Sequence, residues 1–92
     1  MKEIDKHQVA ERVRYYLREA RPGGSNLEVL EDQIWPEEFA WHVPIQPDVE
    51  PKRSFEYYEI LAEAMIELQD KEHISVYLTP VDSKADLHLQ AA

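Results

Sequence analysis

Between Phe39 and Gln46 the residue types alternate without a break: Phe39, Trp41, Val43 and Ile45 on one side, Ala40, His42, Pro44 and Gln46 on the other. A period of two is the signature of a strand with one apolar face. Such a strand cannot stand alone in water; it needs neighbouring strands and an apolar layer against its greasy side. Pro44 adds a second constraint. It has no N–H, so that end of the strand is expected at a sheet edge or unpaired. The rest of the chain is read by asking what covers and flanks this strand.

Two stretches carry the helical period. In the first, Asp5 can cap the backbone, with Gln8 three residues on and Ile4 and Val9 placed for a hydrophobic staple. Val9, Val13, Tyr16, Leu17 and Ala20 then fall on one face. Arg21-Pro22-Gly23-Gly24 ends the helix, through the proline and the left-handed freedom of glycine. In the second, Ser54 is the expected cap, Glu56 sits in the first turn, and Tyr58, Leu61, Ala62, Met65 and Leu68 mark the core face. Pro47-Asp48-Val49-Glu50-Pro51 leads into it as a stiff extended linker.

Two further strands complete the set. Leu27–Gln33 reads as a short strand, with Ile34-Trp35-Pro36-Glu37-Glu38 as the loop after it. His73–Thr79 alternates Ile74, Val76 and Leu78 against His73, Ser75 and Tyr77, and Pro80 closes it. The order α-β-β-α-β predicts an α+β two-layer sandwich: a three-stranded mixed sheet with both helices on one face and the other face open. The first two strands form a hairpin, and the second and third run parallel through the helical crossover. Residues 1–82 form one domain, and 83–92 are a flexible tail or a short added element, in which Leu87, Leu89 and Ala91 alternate. The order is shared in part with the type II KH arrangement. The GXXG loop that marks that family is missing, because Gly23-Gly24 precedes a strand, so no family is assigned.

Charge narrows the function. Up to Arg21 the chain holds six basic residues against four acidic ones; after it, four against fifteen. One modestly basic helix on an acidic body is poorly suited to phosphates or anionic membranes. The chain has no cysteine, so thiolate metal sites and cysteine nucleophiles are excluded, and a reducing compartment is suited. No apolar leader opens the sequence, and no run approaches a membrane span. A cytoplasmic protein is expected.

The strongest functional feature is a stripe of carboxylates on the second helix. Glu56, Glu59, Glu63, Glu67 and Asp70 are spaced three, four, four and three apart. At roughly 100° per residue they share an arc of roughly 80°, expected to lie opposite the core. No lysine or arginine stands between Phe55 and Asp70 to relieve them. Such a face ordinarily keeps a small domain soluble, and it also suits docking of a basic protein. Ile60 and Ile66 flank it, and Ile60 is the apolar contact expected beside it. The second feature is the expected open sheet face, where His42 and Pro44 meet His73, Ser75, Tyr77 and Leu30; His42 and Tyr77 are candidate anchors. Trp35, beside Pro36, is a third.

The expectation is therefore a small acidic protein-interaction module of adaptor, immunity or neutraliser type. It is non-catalytic, without cofactor, and binds a basic or mixed protein surface through Glu56, Glu59, Ile60, Glu63, Glu67, Asp70, Trp35, His42 and Tyr77. Pairing of two copies through the sheet is left open. The alternative is a small metal-dependent enzyme or metal-binding protein using His42 and His73, with Glu28 or Asp32 as oxygen ligands. No HExxH or HxH spacing supports it.

Overall fold

The computed structural model describes residues 4–20, 24–52 and 54–84, and at Ser54 the backbone only. The expected Ser54 side-chain cap, Arg21-Pro22-Gly23 and the alternating tail therefore lie outside the described residues, but the first helix already ends at Leu17, short of the expected run to Ala20. Helix α1 (Lys6–Leu17) starts as its sequence dictates. Gln8 N–H donates to Asp5 Oδ1 at 2.9 Å and Asp5 N–H to Gln8 Oε1 at 3.0 Å, a reciprocal capping box. Val9, Ala10, Val13 and Leu17 are buried on one side of it. Gly24, at φ +84°, takes the left-handed conformation that glycine allows.

The sheet is mixed and built around one strand. β1 (Leu27–Val29) and β2 (Trp35–Pro36) pair antiparallel with β3 (Trp41–Pro47), and β4 (Val76–Pro80) pairs parallel with it after helix α2 (Ser54–Glu72). Ile45 is opposite both Val29 and Pro80, and His42 opposite both Trp35 and Tyr77. β1 and β2 therefore share one edge of β3, and β4 holds the other. The four strands make three rungs, so the fold is the expected α+β arrangement with its first strand broken in two.

The break sits at Pro44. Contrary to expectation this proline lies in the middle of the central strand, buried, with Leu30 N–H donating to its carbonyl at 3.1 Å. The even-numbered residues of β3 turn their backbone groups toward β1 and β2, so the missing N–H faces that edge and not β4. There the chain leaves the ladder for a 3₁₀ turn, Glu31–Gln33, and rejoins it as β2. The ladder to β4 is unaffected: Trp41 N–H reaches Ser75 O at 2.9 Å, and Val81 N–H reaches Ile45 O at 3.0 Å.

Val29, Val43, Ile45, Val76 and Leu78 are buried in one core with the apolar sides of both helices, α1 over β1 and α2 over β4. On α2 the core face differs from the one expected. Tyr57, Leu61, Ala64 and Leu68 are buried, whereas Tyr58 is 55% exposed and Ala62 is exposed. The buried face is rotated by roughly 65° from the expected one. α2 packs on α1 as well as on the sheet, which draws Ala64 and Ile60 inward on the α1 side. Tyr57 donates its hydroxyl to Ile45 O at 3.3 Å, and burial, with Tyr58 beside it, pushes its phenol up to about 12.

Among the described residues, the outer sheet face is covered at one end. Gln46 Nε2 donates to Asp82 O at 3.1 Å, Lys84 Nζ meets Glu28 at 2.8 Å, and Ser83 is buried, so residues 82–84 lie over the Gln46 end. Phe39, expected in the strand's apolar set, is 81% exposed in the turn before β3.

α1 is tied to the 3₁₀ turn by charge. His7 Nδ1 lies 3.2 Å from Glu31 Oε2 and Arg14 Nη1 3.0 Å from Glu31 Oε1. Hydrogen bonding to Glu31 raises His7 above its usual 6.5, and the same bond, followed by Arg14, holds Glu31 below its usual 4.5. The raised histidine contributes stability below 6.5 that is lost as pH climbs through its folded value. The lowered carboxyl contributes above 4.5 what is lost as pH falls through its own. Replacing His7 with alanine should therefore lower the melting temperature near pH ~5.5 and leave it unchanged near pH ~9; equal losses at both would refute the charged pair. The rotation of α2 has its own test by chemical denaturation. Tyr57→Ala should cost about 3–5 kcal/mol and Tyr58→Ala less than about 1 kcal/mol, the reverse of what the sequence pattern implies.

Candidate functional site

The rotation of α2 determines where its carboxylates go. Three of the five lie along the seam with α1. Glu56, Glu63 and Glu67 from α2 face Glu19, just past the end of α1, across a groove of about 300 Å³. Tyr16, Ala20, Ile60 and Ala64 supply its apolar surface. Among the described residues, four carboxylates and no basic side chain line it. Glu59 and Asp70 are exposed on the same helix outside the groove, and Ile66 stands 60% exposed. Ile60, expected beside the stripe, is half-buried in the groove and packs on the core.

Arg12 and Arg14 of α1 are engaged elsewhere. Arg12 makes a two-pronged ion pair with Glu72 at the end of α2 and lies 4.8 Å from the ring centre of Tyr15. Hydrogen bonding from Arg12 holds the Glu72 carboxyl below its usual range, and Glu72 in turn raises the Tyr16 phenol. Arg14 is on Glu31. The two helices run antiparallel, so the Arg12–Glu72 pair lies toward one end of the groove and Glu19 with Glu56 at the other.

The remaining expected residues belong to a different face. Trp35, His42 and Tyr77 occupy one register row across the outer sheet, one from each rung. Trp35 and His42 stack at 4.0 Å between ring centres and 9° between planes. Glu37 Oε1 accepts from Trp35 Nε1 at 3.2 Å and lies 3.5 Å from His42 Nδ1, which holds the pair in place. Trp35 is 45% and Tyr77 54% exposed. Trp35 is thus a strand residue with a defined platform, not the loop residue expected.

His73 is not part of that row. It follows α2 in a left-handed conformation, φ +57°, and turns the chain into β4, with Ile74 N–H bonded back to Leu68 O at 3.2 Å. Ser75 donates its hydroxyl to Gln69, away from the outer face. Among the described residues no group of three or more His, Asp or Glu side chains is placed to hold a metal ion, and no helix is long and apolar enough to cross a membrane. Comparison with protein-family models, curated proteins and solved structures finds no match to this chain.

Sequence reasoning found Glu56, Glu63 and Glu67 but missed Glu19 and Tyr16, their partners across the groove. Tyr16 and Ala20 stood on the expected apolar face, but α1 ends at Leu17, and the turn that carries Glu19 to the groove has no periodic signal. Glu37 was likewise passed over as a loop residue. Glu37→Ala should move the Trp35 indole N–H resonance and speed its exchange with solvent, while stability changes by less than about 0.5 kcal/mol. An unmoved indole resonance would remove Glu37 from the platform.

Proposed function

We propose that the chain is a non-catalytic protein-interaction module whose α1–α2 groove receives a basic, amphipathic segment of a partner protein. The observation that carries this reading is the pairing of charge with apolar surface in one place: Glu19, Glu56, Glu63 and Glu67 around Tyr16, Ala20, Ile60 and Ala64. A face that only confers solubility needs no apolar floor. A groove between two helices with such a floor is a seat for a third helix, and the carboxylates select one that carries lysine or arginine. Like charges three or four residues apart on a helix cost roughly 0.2–0.5 kcal/mol per pair. A basic partner relieves that repulsion, so part of the stabilisation comes from the free protein's own strain.

Solvent-exposed ion pairs are individually weak, about 1 kcal/mol at 4 Å in bulk water. The charges therefore set encounter rate and partner choice, and the apolar floor supplies residence time. A cytoplasmic setting, with a basic protein as partner, agrees with the cysteine-free composition.

The test is a salt-graded capture. Wild-type chain should retain a basic protein that moderate salt releases, and the Glu63→Lys, Glu67→Lys double variant should lose it. Both positions are exposed, so the variant should fold normally. With the partner purified, the variant should associate at least about tenfold more slowly, with a flatter salt dependence. Undiminished binding by the double variant would end the groove reading.

A further inference from the structure

At the Glu72 end of the groove the character of the surface changes. An open pocket of about 670 Å³ lies there, mostly apolar, between Ile4 ahead of α1, Ile74 after α2, and Phe39 and Trp41 around the β2–β3 turn. Among the described residues its titratable lining is Glu37, Glu72 and the imidazole of His73. Phe39 is the least covered large apolar side chain of the described residues, at 81% exposure, in a turn where polar residues are the rule. The turn itself closes on backbone alone, Glu37 N–H to Ala40 O at 2.8 Å, and does not use the phenyl ring. An aromatic held in water beside an apolar pocket is a contact surface awaiting an occupant.

We propose that this pocket receives one large apolar side chain at the end of the same basic helix that fills the α1–α2 groove. The inference rests on the groove reading above and specifies its partner. Two observations select this occupant. The first is charge: four carboxylates edge the groove and Glu37 edges the pocket, while Glu72 between them is paired with Arg12, so a basic partner is favoured along the groove and an apolar group at the pocket. The second is continuity. Tyr16 lines the groove, Glu72 lines the pocket, and Arg12 binds Glu72 from the turn of α1 that precedes Tyr16. Glu56 to Glu72 spans 16 residues of α2, about 24 Å at 1.5 Å per residue. One partner helix of about five turns covers both features.

Isotope-labelled full-length chain is titrated with synthetic helices of about 16 residues, lysine-faced, ending in tryptophan at either terminus or in serine at both. One tryptophan-ended peptide should bind about tenfold tighter than the serine-ended one. It should also shift the amides of residues 37–41 and 72–75 in addition to those of 16–20 and 56–67. Phe39→Ser should abolish that advantage and leave serine-peptide affinity unchanged; Phe39 is exposed, so this variant keeps its fold. Equal affinities, with shifts confined to the groove, would overturn the anchor pocket and leave the groove reading intact. Binding by none of the peptides would overturn both. Sedimentation showing a dimer that Phe39→Ser dissociates would seat a second copy in the pocket and overturn the proposal in favour of self-association.

Discussion

A proline in the central strand of a sheet removes one ladder donor, and this fold is arranged around that loss. Because Pro44 directs its missing N–H toward the β1–β2 edge, the parallel ladder with β4 stays whole and the antiparallel one is interrupted. The interruption is filled by a 3₁₀ turn that carries Glu31, and Glu31 is where His7 and Arg14 anchor α1. The same interruption makes Trp35 re-enter the sheet one rung from His42, which creates the stacked pair. A backbone defect thus sets the docking of one helix and the position of one aromatic platform.

The second dependence runs through the helix pair. A two-layer domain of this size has little apolar area to bury, and α2 obtains part of its burial from α1 and not from the sheet alone. That rotation places Tyr57 in the core and Tyr58 outside, and it turns Glu56, Glu63 and Glu67 from a solvent-facing row into one wall of a groove. No element of the groove is special by itself. It arises because the carboxylates sit within about two residues of a face that had to turn inward.

What was legible in the sequence followed what each signal measures. The Asp5–Gln8 box, the α2 span, and the alternation of Trp41, Val43 and Ile45 depend on local geometry, and each was readable. The α2 core face was not, because Tyr57-Tyr58 and Ala62–Ala64 offer apolar groups on adjacent sides, and only the position of α1 chooses between them. Trp35 looked like loop because Pro36 follows it; Pro36 is tolerated because β2 is two residues long and at an edge. Phe39 continued the period of two beyond the strand's real start, and only the Glu37–Ala40 turn reveals it as exposed. The expected site residues were mostly identified one by one, but their division between a helical groove and a sheet face is tertiary information.

That division bears on why the carboxylates stand unrelieved. The chain does not lack cations near them: Arg12 and Arg14 lie on the helix that forms the opposite wall. Yet Arg12 turns to Glu72, and Arg14 to Glu31, leaving Glu19, Glu56, Glu63 and Glu67 as the groove's charged lining among the described residues. If the stripe existed only to raise solubility, pairs from α1 to Glu63 and Glu67 would stabilise the helix contact without lowering surface polarity. Pairing α1 instead with the end of α2 and with the 3₁₀ turn achieves the docking and keeps the groove's field intact. Electrostatic attraction of a basic segment depends on that field being uncompensated in the free protein, and falls as each internal cation is added. The placement of Arg12 at the Glu72 end of the seam and of Arg14 on the 3₁₀ turn is therefore as much a part of the proposed site as the glutamates within it.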